Sequence, residues 1–154
     1  MNYIEYRNKK QEEFNKLPIY WAFSDDQFRR VCEEQGFTEK DLVQPDWLCG
    51  GFCRKTDLPM IKAFAERPDP LPEMMSDHDF AVSAFYEEMC NHEYGINYQG
   101  DWDVLNCFLE HEPRFDECSS YDEYLINGGH PEWIPFYQEA RSKYLRAAQE
   151  NDWF

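Results

Sequence analysis

The negative charge of this chain is concentrated in its middle third. Residues 73–124 contain fourteen acidic side chains and one basic side chain, Arg114, so they carry thirteen of the 16 net negative charges. The flanking segments, residues 1–72 and 125–154, are each close to balanced. Most of these carboxylates must remain solvated, and together they produce a directed field. Such a field selects basic protein surfaces and disfavours nucleic acid and anionic membranes.

Composition indicates a folded protein in spite of this charge. A chain of 154 residues is about one domain long, and its 42% hydrophobic and 18% aromatic content argues against disorder. The N-terminal residues show no apolar targeting segment, and no apolar run approaches the length of a membrane span. We therefore expect a cytoplasmic protein whose six cysteines are reduced, buried or metal-bound.

Capping signals and apolar spacing predict a mainly α (α+β) fold. Asn2, Ser24, either Ser76 or Asp77, and Ser120 stand where a side chain can cap a helix, and Pro131 is suited to the first turn of the last helix. Residues 19–23 and 48–54 are short apolar runs typical of paired strands. The expected architecture is a single helical domain over residues 1–154, with at most a small two- or three-stranded antiparallel sheet.

The charge balance changes at a proline-rich connector, residues 68–72, with Pro68, Pro70 and Pro72. We expect a near-neutral N-terminal part over residues 1–67 and an acidic helical part over residues 73–154.

Cysteine and histidine spacing suggests a metal site in the acidic part. If residues 101–109 form a helix that continues to residue 111, Cys107 and His111 share one face, and Cys90 and His92 lie at the end of the preceding helix. These four residues would make a Cys₂His₂ zinc set, and an all-protein set of this kind is a closed structural site. Alternates are Cys118, His130, Cys49 and Cys53. The competing interpretation is that the cysteines are core residues and the histidines are surface residues.

Catalytic interpretations have less support in the sequence. Metalloprotease, P-loop and dinucleotide-binding motifs are missing from it. The negative surroundings of Cys90 and Cys107 disfavour a nucleophilic thiolate. We therefore expect no enzyme; a small hydrolase using the carboxylates is the weakest of three hypotheses.

Interface-type aromatic residues accompany the acids. Tyr98 and Trp102 stand beside Asp101 and Asp103, a combination that would anchor a contact and select Arg or Lys on a partner. Alternatively, both aromatic side chains pack on the last helix.

Several stretches resemble small uncharacterised proteins from phages and mobile elements of Gram-positive bacteria, among which are acidic anti-CRISPR inhibitors of Cas9 (type II). The stretches are the opening helix, residues 21–24, 85–97 and 101–105, and the tail from residue 129 to residue 154. The resemblance covers most of the chain and carries over no catalytic residues. It implies a protein that acts in the cytoplasm of a bacterial host cell.

Charge and resemblance together give the leading hypothesis, an anti-CRISPR protein that binds a basic surface of a Cas9-class nuclease and blocks target DNA loading. Such effectors hold nucleic acid in positively charged channels. No direct contact with nucleic acid or membrane is expected. The alternative is a zinc-stabilised interaction module of phage origin with another partner. The predicted partner-binding residues are Glu87, Glu88, Glu93, Tyr98, Asp101, Trp102 and Asp103.

Overall fold

The computed structural model describes residues 1–95 and 100–153. Their contacts divide the chain into two compact units. We call Met1–Lys9 with Asp69–Phe154 the acidic unit, and Lys10–Pro68 the sheet unit. The boundary at Pro68 and Asp69 falls at the start of the predicted connector, whereas residues 1–9 group with the acidic unit. That the whole chain behaves as a single domain stays a prediction.

The first helix, α1 (Tyr3–Asn15), begins with a reciprocal cap. The Asn2 side chain accepts a hydrogen bond from the backbone N–H of Glu5, and Glu5 accepts one from the backbone N–H of Asn2, both at 2.9 Å. Two otherwise unpaired donors at the helix end are thereby satisfied. The cap fixes where α1 begins, and with it the positions of Tyr3 and Arg7.

The sheet unit combines two helices with three short strands. The helices are α2 (Asp25–Gln35) and α3 (Leu58–Glu66), and the strands are β1 (Tyr20–Trp21), β2 (Leu42–Val43) and β3 (Gly51–Arg54). Turns of 3₁₀ helix, Glu39–Asp41 and Asp46–Leu48, flank β2. Ser24 caps α2 by accepting a hydrogen bond from the backbone N–H of Gln27, as predicted, and Gly36 ends it at φ 69°.

The strands form an antiparallel sheet in the order β1-β3-β2. The predicted pairing of the two apolar runs is confirmed, with Tyr20 opposite Phe52 and Trp21 opposite Gly51. A side chain at residue 51 would crowd the Trp21 ring, because a Cβ there would lie 3.0 Å from it and the ring would have to shift. The sequence did not predict β2, whose two residues are too few to show strand alternation.

The acidic unit is built from helices. After α4 (Leu71–Met74) come α5 (His78–Asn91), α6 (Gly100–Asn106), α7 (Tyr121–Asn127) and α8 (Ile134–Glu150), with 3₁₀ turns at Phe115–Glu117 and Pro131–Trp133. Asp77 caps α5 and Ser120 caps α7, each accepting from a backbone N–H three residues on. The predicted mainly α fold with a small antiparallel sheet is confirmed. No helix in the described part of the chain has both the length and the apolarity to cross a membrane.

Aromatic side chains fill the core of the acidic unit. Phe85 on α5 is fully buried, and its ring lies 5.0 Å from Phe108, 5.2 Å from Tyr137 and 6.0 Å from Trp133, with the rings edge-on. Edge-to-face rings at these separations add attraction beyond burial alone. This packing holds α5 against α8 and so fixes the face of α5 that carries the site described next.

Candidate metal site

Glu88 is a buried acid on the inner face of α5. Only 5% of the residue is exposed, and among the described residues it alone is classed as a buried charged side chain. Burying a carboxylate is costly unless hydrogen bonds or counter-charges compensate it. The contacts of its two oxygens therefore show how this buried charge is compensated.

The oxygen Oε1 is held by donors from α1 and α5. The Tyr3 hydroxyl donates to it at 2.7 Å, Arg7 Nη1 lies 3.1 Å away, and Asn91 Nδ2 donates at 3.3 Å. Tyr3 and Arg7 are four residues apart, so consecutive turns of α1 reach the same atom. Burial first, and then the hydrogen bond to Glu88, raise the pKa of the Tyr3 phenol, which therefore remains a donor.

The oxygen Oε2 faces a histidine and a cysteine. It lies 3.3 Å from His92 Nε2 and 3.5 Å from Cys107 Sγ, and these two atoms are 3.4 Å apart. Glu88 and His92 are four residues apart, while Cys107 directly follows the last residue of α6. Each of the three side chains thus brings one ligand atom into a triangle, and this cluster could hold a metal ion.

The triangle does not have the arrangement of a catalytic triad. A Cys-His-acid triad uses both ring nitrogens, one towards the nucleophile and the other towards the acid. Here the thiol and the carboxylate both approach Nε2. Three ligand atoms that face one point can share a metal ion. A proton relay instead needs the thiol, the two ring nitrogens and the acid in sequence.

The state of the Cys107 thiol also argues against nucleophilic catalysis. The residue is exposed, but its Sγ faces Glu88 and also lies 3.3 Å from the backbone carbonyl of Asp103. Burial of the sulfur first, and then the charge of Glu88, raise its pKa to about 12. A reactive cysteine needs the opposite shift. Without a metal ion, Cys107 is a protonated thiol at neutral pH.

Two of the four predicted zinc ligands, His92 and Cys107, belong to this cluster. Cys90 is exposed on α5, two residues from both Glu88 and His92, and so on the opposite side of the helix. His111 is exposed beyond the end of α6. The expectation that Cys107 and His111 share a helical face was wrong, because α6 ends at Asn106.

The alternate ligands lie elsewhere. Cys118 accepts a hydrogen bond from Asn127 Nδ2 at 3.3 Å, and His130 stacks on Trp133 at 3.8 Å. Cys53 is fully buried in β3, and Cys49 is exposed in the turn before it with φ 53°. None of these alternates joins Glu88, His92 and Cys107 in the part of the chain that the structure describes.

Sequence reasoning missed Glu88 as a cluster member and assigned it to the partner surface. In the structure its carboxylate is buried and turned towards His92, Cys107 and α1, and its role in partner binding stays a prediction. The i, i+4 spacing of Glu88 and His92 was the signal available. It was hidden among many acids, and only the packing of α1 against α5 distinguishes Glu88 from its neighbour Glu87.

The other predicted partner-binding residues differ in exposure. Glu93 is exposed and Glu87 and Asp103 are half-buried, whereas Asp101 accepts a hydrogen bond from the Tyr137 hydroxyl at 2.6 Å. Trp102 packs on Tyr124 of α7 with ring centres 4.6 Å apart, so its ring makes a contact inside the protein. Tyr98 lies outside the described residues.

Carboxylates with shifted pKa values give no sign of a general acid. Hydrogen bonds from Ser119 lower the pKa of Glu123, and hydrogen bonds from His78 and then Lys143 lower that of Glu139. A general acid needs the opposite shift to stay protonated near neutral pH. The small-hydrolase hypothesis gains no support from these groups.

The fold and the cluster define a mainly helical, acidic protein with three converging ligand-type side chains. A family of unknown function, DUF7659, matches residues 2–109, and the protein belongs to this family. The matched range includes Tyr3, Arg7 and all three cluster residues, and it ends before α7 and α8. Comparison with curated proteins and with solved structures finds no match.

Proposed function

We propose that the protein is a non-enzymatic binding module in which a zinc ion, held by Glu88, His92 and Cys107, stabilises the acidic unit. The supporting observation is the size of the ligand triangle, with edges of 3.3, 3.4 and 3.5 Å. Zinc bonds of about 2.3 Å to sulfur and about 2.0–2.1 Å to nitrogen or oxygen give tetrahedral edges of about 3.3–3.6 Å. The donors therefore need almost no movement to bind the ion.

Zinc suits these donors better than the other common ions. Thiolate and imidazole favour zinc, whereas magnesium and calcium prefer an all-oxygen set. Tyr3 and Arg7 hold the far oxygen of Glu88, which orients the carboxylate as outer partners do around bound metals. The ion would join α5 to the end of α6, and through Glu88 to the first turns of α1.

Metal analysis tests the zinc site directly. The purified protein should contain about one equivalent of zinc, and removal by a chelator should lower its melting temperature. At free zinc of about 100 times Kd, binding adds about 2.7 kcal/mol, or about 5–10 °C for a chain of this length. Cys107→Ser should abolish both the zinc and the shift.

Matched variants make that test specific. Cys90→Ser removes a thiol from the outer side of the same helix, and His111→Asn removes a histidine that lies outside the cluster. Both should retain zinc, whereas His92→Asn should lose it. Retention of zinc by Cys107→Ser together with loss by Cys90→Ser would refute the assignment.

For the partner, we propose a basic protein surface, and specifically that of a Cas9-class nuclease whose target DNA loading is blocked in the host cytoplasm. The support is electrostatic and comes with the sequence resemblance. Arg114, the sole Arg or Lys within residues 73–124, pairs with Asp116 and Glu117 in its own segment. The acidic unit therefore remains strongly negative, as a protein that obstructs a cationic channel must be.

An inhibition assay tests this proposal with purified nuclease, guide RNA and labelled target DNA. Inhibition of DNA binding should be strong at low salt and weaken steeply as salt rises. Glu87→Lys with Glu93→Lys should weaken inhibition by about tenfold or more, since charge reversal opposes the cationic surface. The matched control reverses Glu33 and Glu34, exposed acids on α2 of the sheet unit, and should change it little.

The outcomes separate the two halves of the proposal. No inhibition at low salt, or inhibition that is indifferent to salt, would exclude the Cas9-class partner and leave the zinc site standing. Equal loss from both charge reversals would mean that net charge, rather than the acidic unit, directs binding.

A further inference from the structure

The cluster supplies three ligands, and this number has a consequence for the proposed zinc ion. Tetrahedral zinc needs four donors, and closed structural sites obtain all four from protein side chains. Within the described residues, the cluster contains Glu88, His92 and Cys107 and no fourth His, Cys, Asp or Glu. The four residues between 95 and 100 are Ile, Asn, Tyr and Gln, none of which is of these types.

The nearby side chains are committed elsewhere. Tyr3 donates its hydroxyl hydrogen to Oε1, the Glu88 oxygen that does not face His92 and Cys107. Arg7 carries no lone pair to offer, and Asn91 is engaged with the same oxygen. These contacts saturate the far side of Glu88.

Solvent can reach the cluster from one side. The Glu88 side chain is 7% exposed, whereas that of His92 is 37% exposed and Cys107 is an exposed residue. Glu88 is thus the buried member of the cluster, while His92 and Cys107 belong to residues that reach the surface, although the Cys107 sulfur itself faces inward. Three protein ligands with an accessible remaining position describe the open class of zinc site, the class to which catalytic zinc ions belong and which differs from the closed four-ligand set expected from the sequence.

Charge decides which donors suit that position. Zinc, one carboxylate, one thiolate and a neutral imidazole sum to zero charge, which leaves Arg7, paired with Glu88, as the cation beside the site. An approaching anion must still cross the field of the surrounding carboxylates. A neutral nitrogen donor meets no such barrier, and imidazole is a strong zinc ligand.

We infer that zinc bound by Glu88, His92 and Cys107 keeps an exchangeable fourth position, which takes water in the free protein and a neutral imidazole nitrogen when one is supplied. This inference rests on the zinc site of the proposed function. An exposed histidine on a protein partner is the macromolecular source of such a donor. The position would then let the metal take part directly in partner recognition, besides stabilising the fold.

Cobalt(II) in place of zinc makes the fourth position visible. Cobalt bound by Cys107 should give a thiolate charge-transfer band and the visible bands of a tetrahedral ion. Imidazole should shift the visible bands to saturation at one equivalent bound, with the charge-transfer band retained. Azide, an anion of similar reach, should bind about tenfold or more weakly because of the acidic field.

Two kinds of failure can be told apart. If cobalt gives no thiolate band, the zinc site of the proposed function is wrong. If the thiolate band forms but imidazole leaves the visible bands unchanged, or displaces cobalt and abolishes the thiolate band, the open position is wrong. Cys90→Ser should reproduce the wild-type titration, while Cys107→Ser should lack the thiolate band from the start.

Discussion

The acidic unit and the sheet unit differ in how they bury apolar surface. The acidic unit, although highly charged, encloses large side chains completely, with Tyr124, Tyr137 and Phe85 each less than 2% exposed. The near-neutral sheet unit has a small cluster around Leu48, Cys53 and Ile61, and leaves large side chains in solvent. Phe23, for example, is 87% exposed. Charge therefore does not limit core formation here, because most of the acids in residues 73–124 are exposed to solvent.

The acidic unit also contains a buried carboxylate, that of Glu88, which needs hydrogen-bond donors. With a single Arg in residues 73–124, its inward-facing carboxylates need other donors. Tyrosine hydroxyls donate to two of them, from Tyr3 to Glu88 at 2.7 Å and from Tyr137 to Asp101 at 2.6 Å. A tyrosine buries its ring and satisfies a carboxylate with one side chain. Tyrosine therefore contributes both to the aromatic core and to the hydrogen bonding of the carboxylates in the acidic unit.

The largest expected effect follows from the aromatic core. Phe85→Ala should lower the free energy of unfolding of the acidic unit by about 3–5 kcal/mol, because it leaves a cavity among three neighbouring rings. Phe23→Ala in the sheet unit should change stability by no more than about 0.5 kcal/mol, since the side chain is already in water. Denaturant unfolding followed by near-ultraviolet circular dichroism measures both. Equal losses would contradict the contrast between the units.

A smaller effect tests whether the units open separately. Ile61→Val on α3 should cost about 1 kcal/mol, and amides of β3 should then exchange about fivefold faster. Amides of α5 should be unaffected. The control is Met60→Ala, a change at an exposed neighbour on the same helix. Hydrogen exchange read by mass spectrometry distinguishes the cases, and parallel acceleration in α5 would favour the predicted single cooperative domain.

Much of the fold was predictable because its signals are local. Ser24, Asp77 and Ser120 cap helices at positions that the sequence offered, and Pro131 opens the 3₁₀ turn that leads into α8. Predictions failed where tertiary contacts decide. The two-residue strand β2 exists by pairing with β3, and α6 ends at Asn106 although the apolar pattern continues to Leu109.

Two of the three residues of the candidate site could be predicted from the sequence, and the third depends on tertiary contacts. His92 and Cys107 were recognised by residue type, but their third partner depends on which acid faces inward. Glu87 and Glu88 are adjacent and chemically alike, and a rotation of about 100° along α5 separates a half-exposed acid from a buried one. The contact of α1 with that face, through Tyr3 and Arg7, comes from residues more than eighty positions away. No local pattern encodes it.

The smallest expected effect concerns pH, at a contact between α5 and α8. Hydrogen bonds to Glu139 at 2.6 Å, and then to Asp79 at 2.8 Å, raise the pKa of His78 above its usual 6.5. Glu139, which also pairs with Lys143 at 3.2 Å, has its pKa lowered below 4.5. A raised histidine pKa stabilises the fold below pH 6.5 and the benefit is lost as pH rises through the raised value; a lowered carboxyl pKa stabilises it above pH 4.5. The contact should therefore stabilise the fold most between about pH 4.5 and pH 6.5.

An NMR titration of His78 and melting curves at each pH test this expectation. His78→Gln should flatten the dependence of melting temperature on pH, and His111→Gln, at an exposed site, should leave it unchanged. A His78 titration at or below pH 6.5 would show that the two carboxylates do not hold the ring.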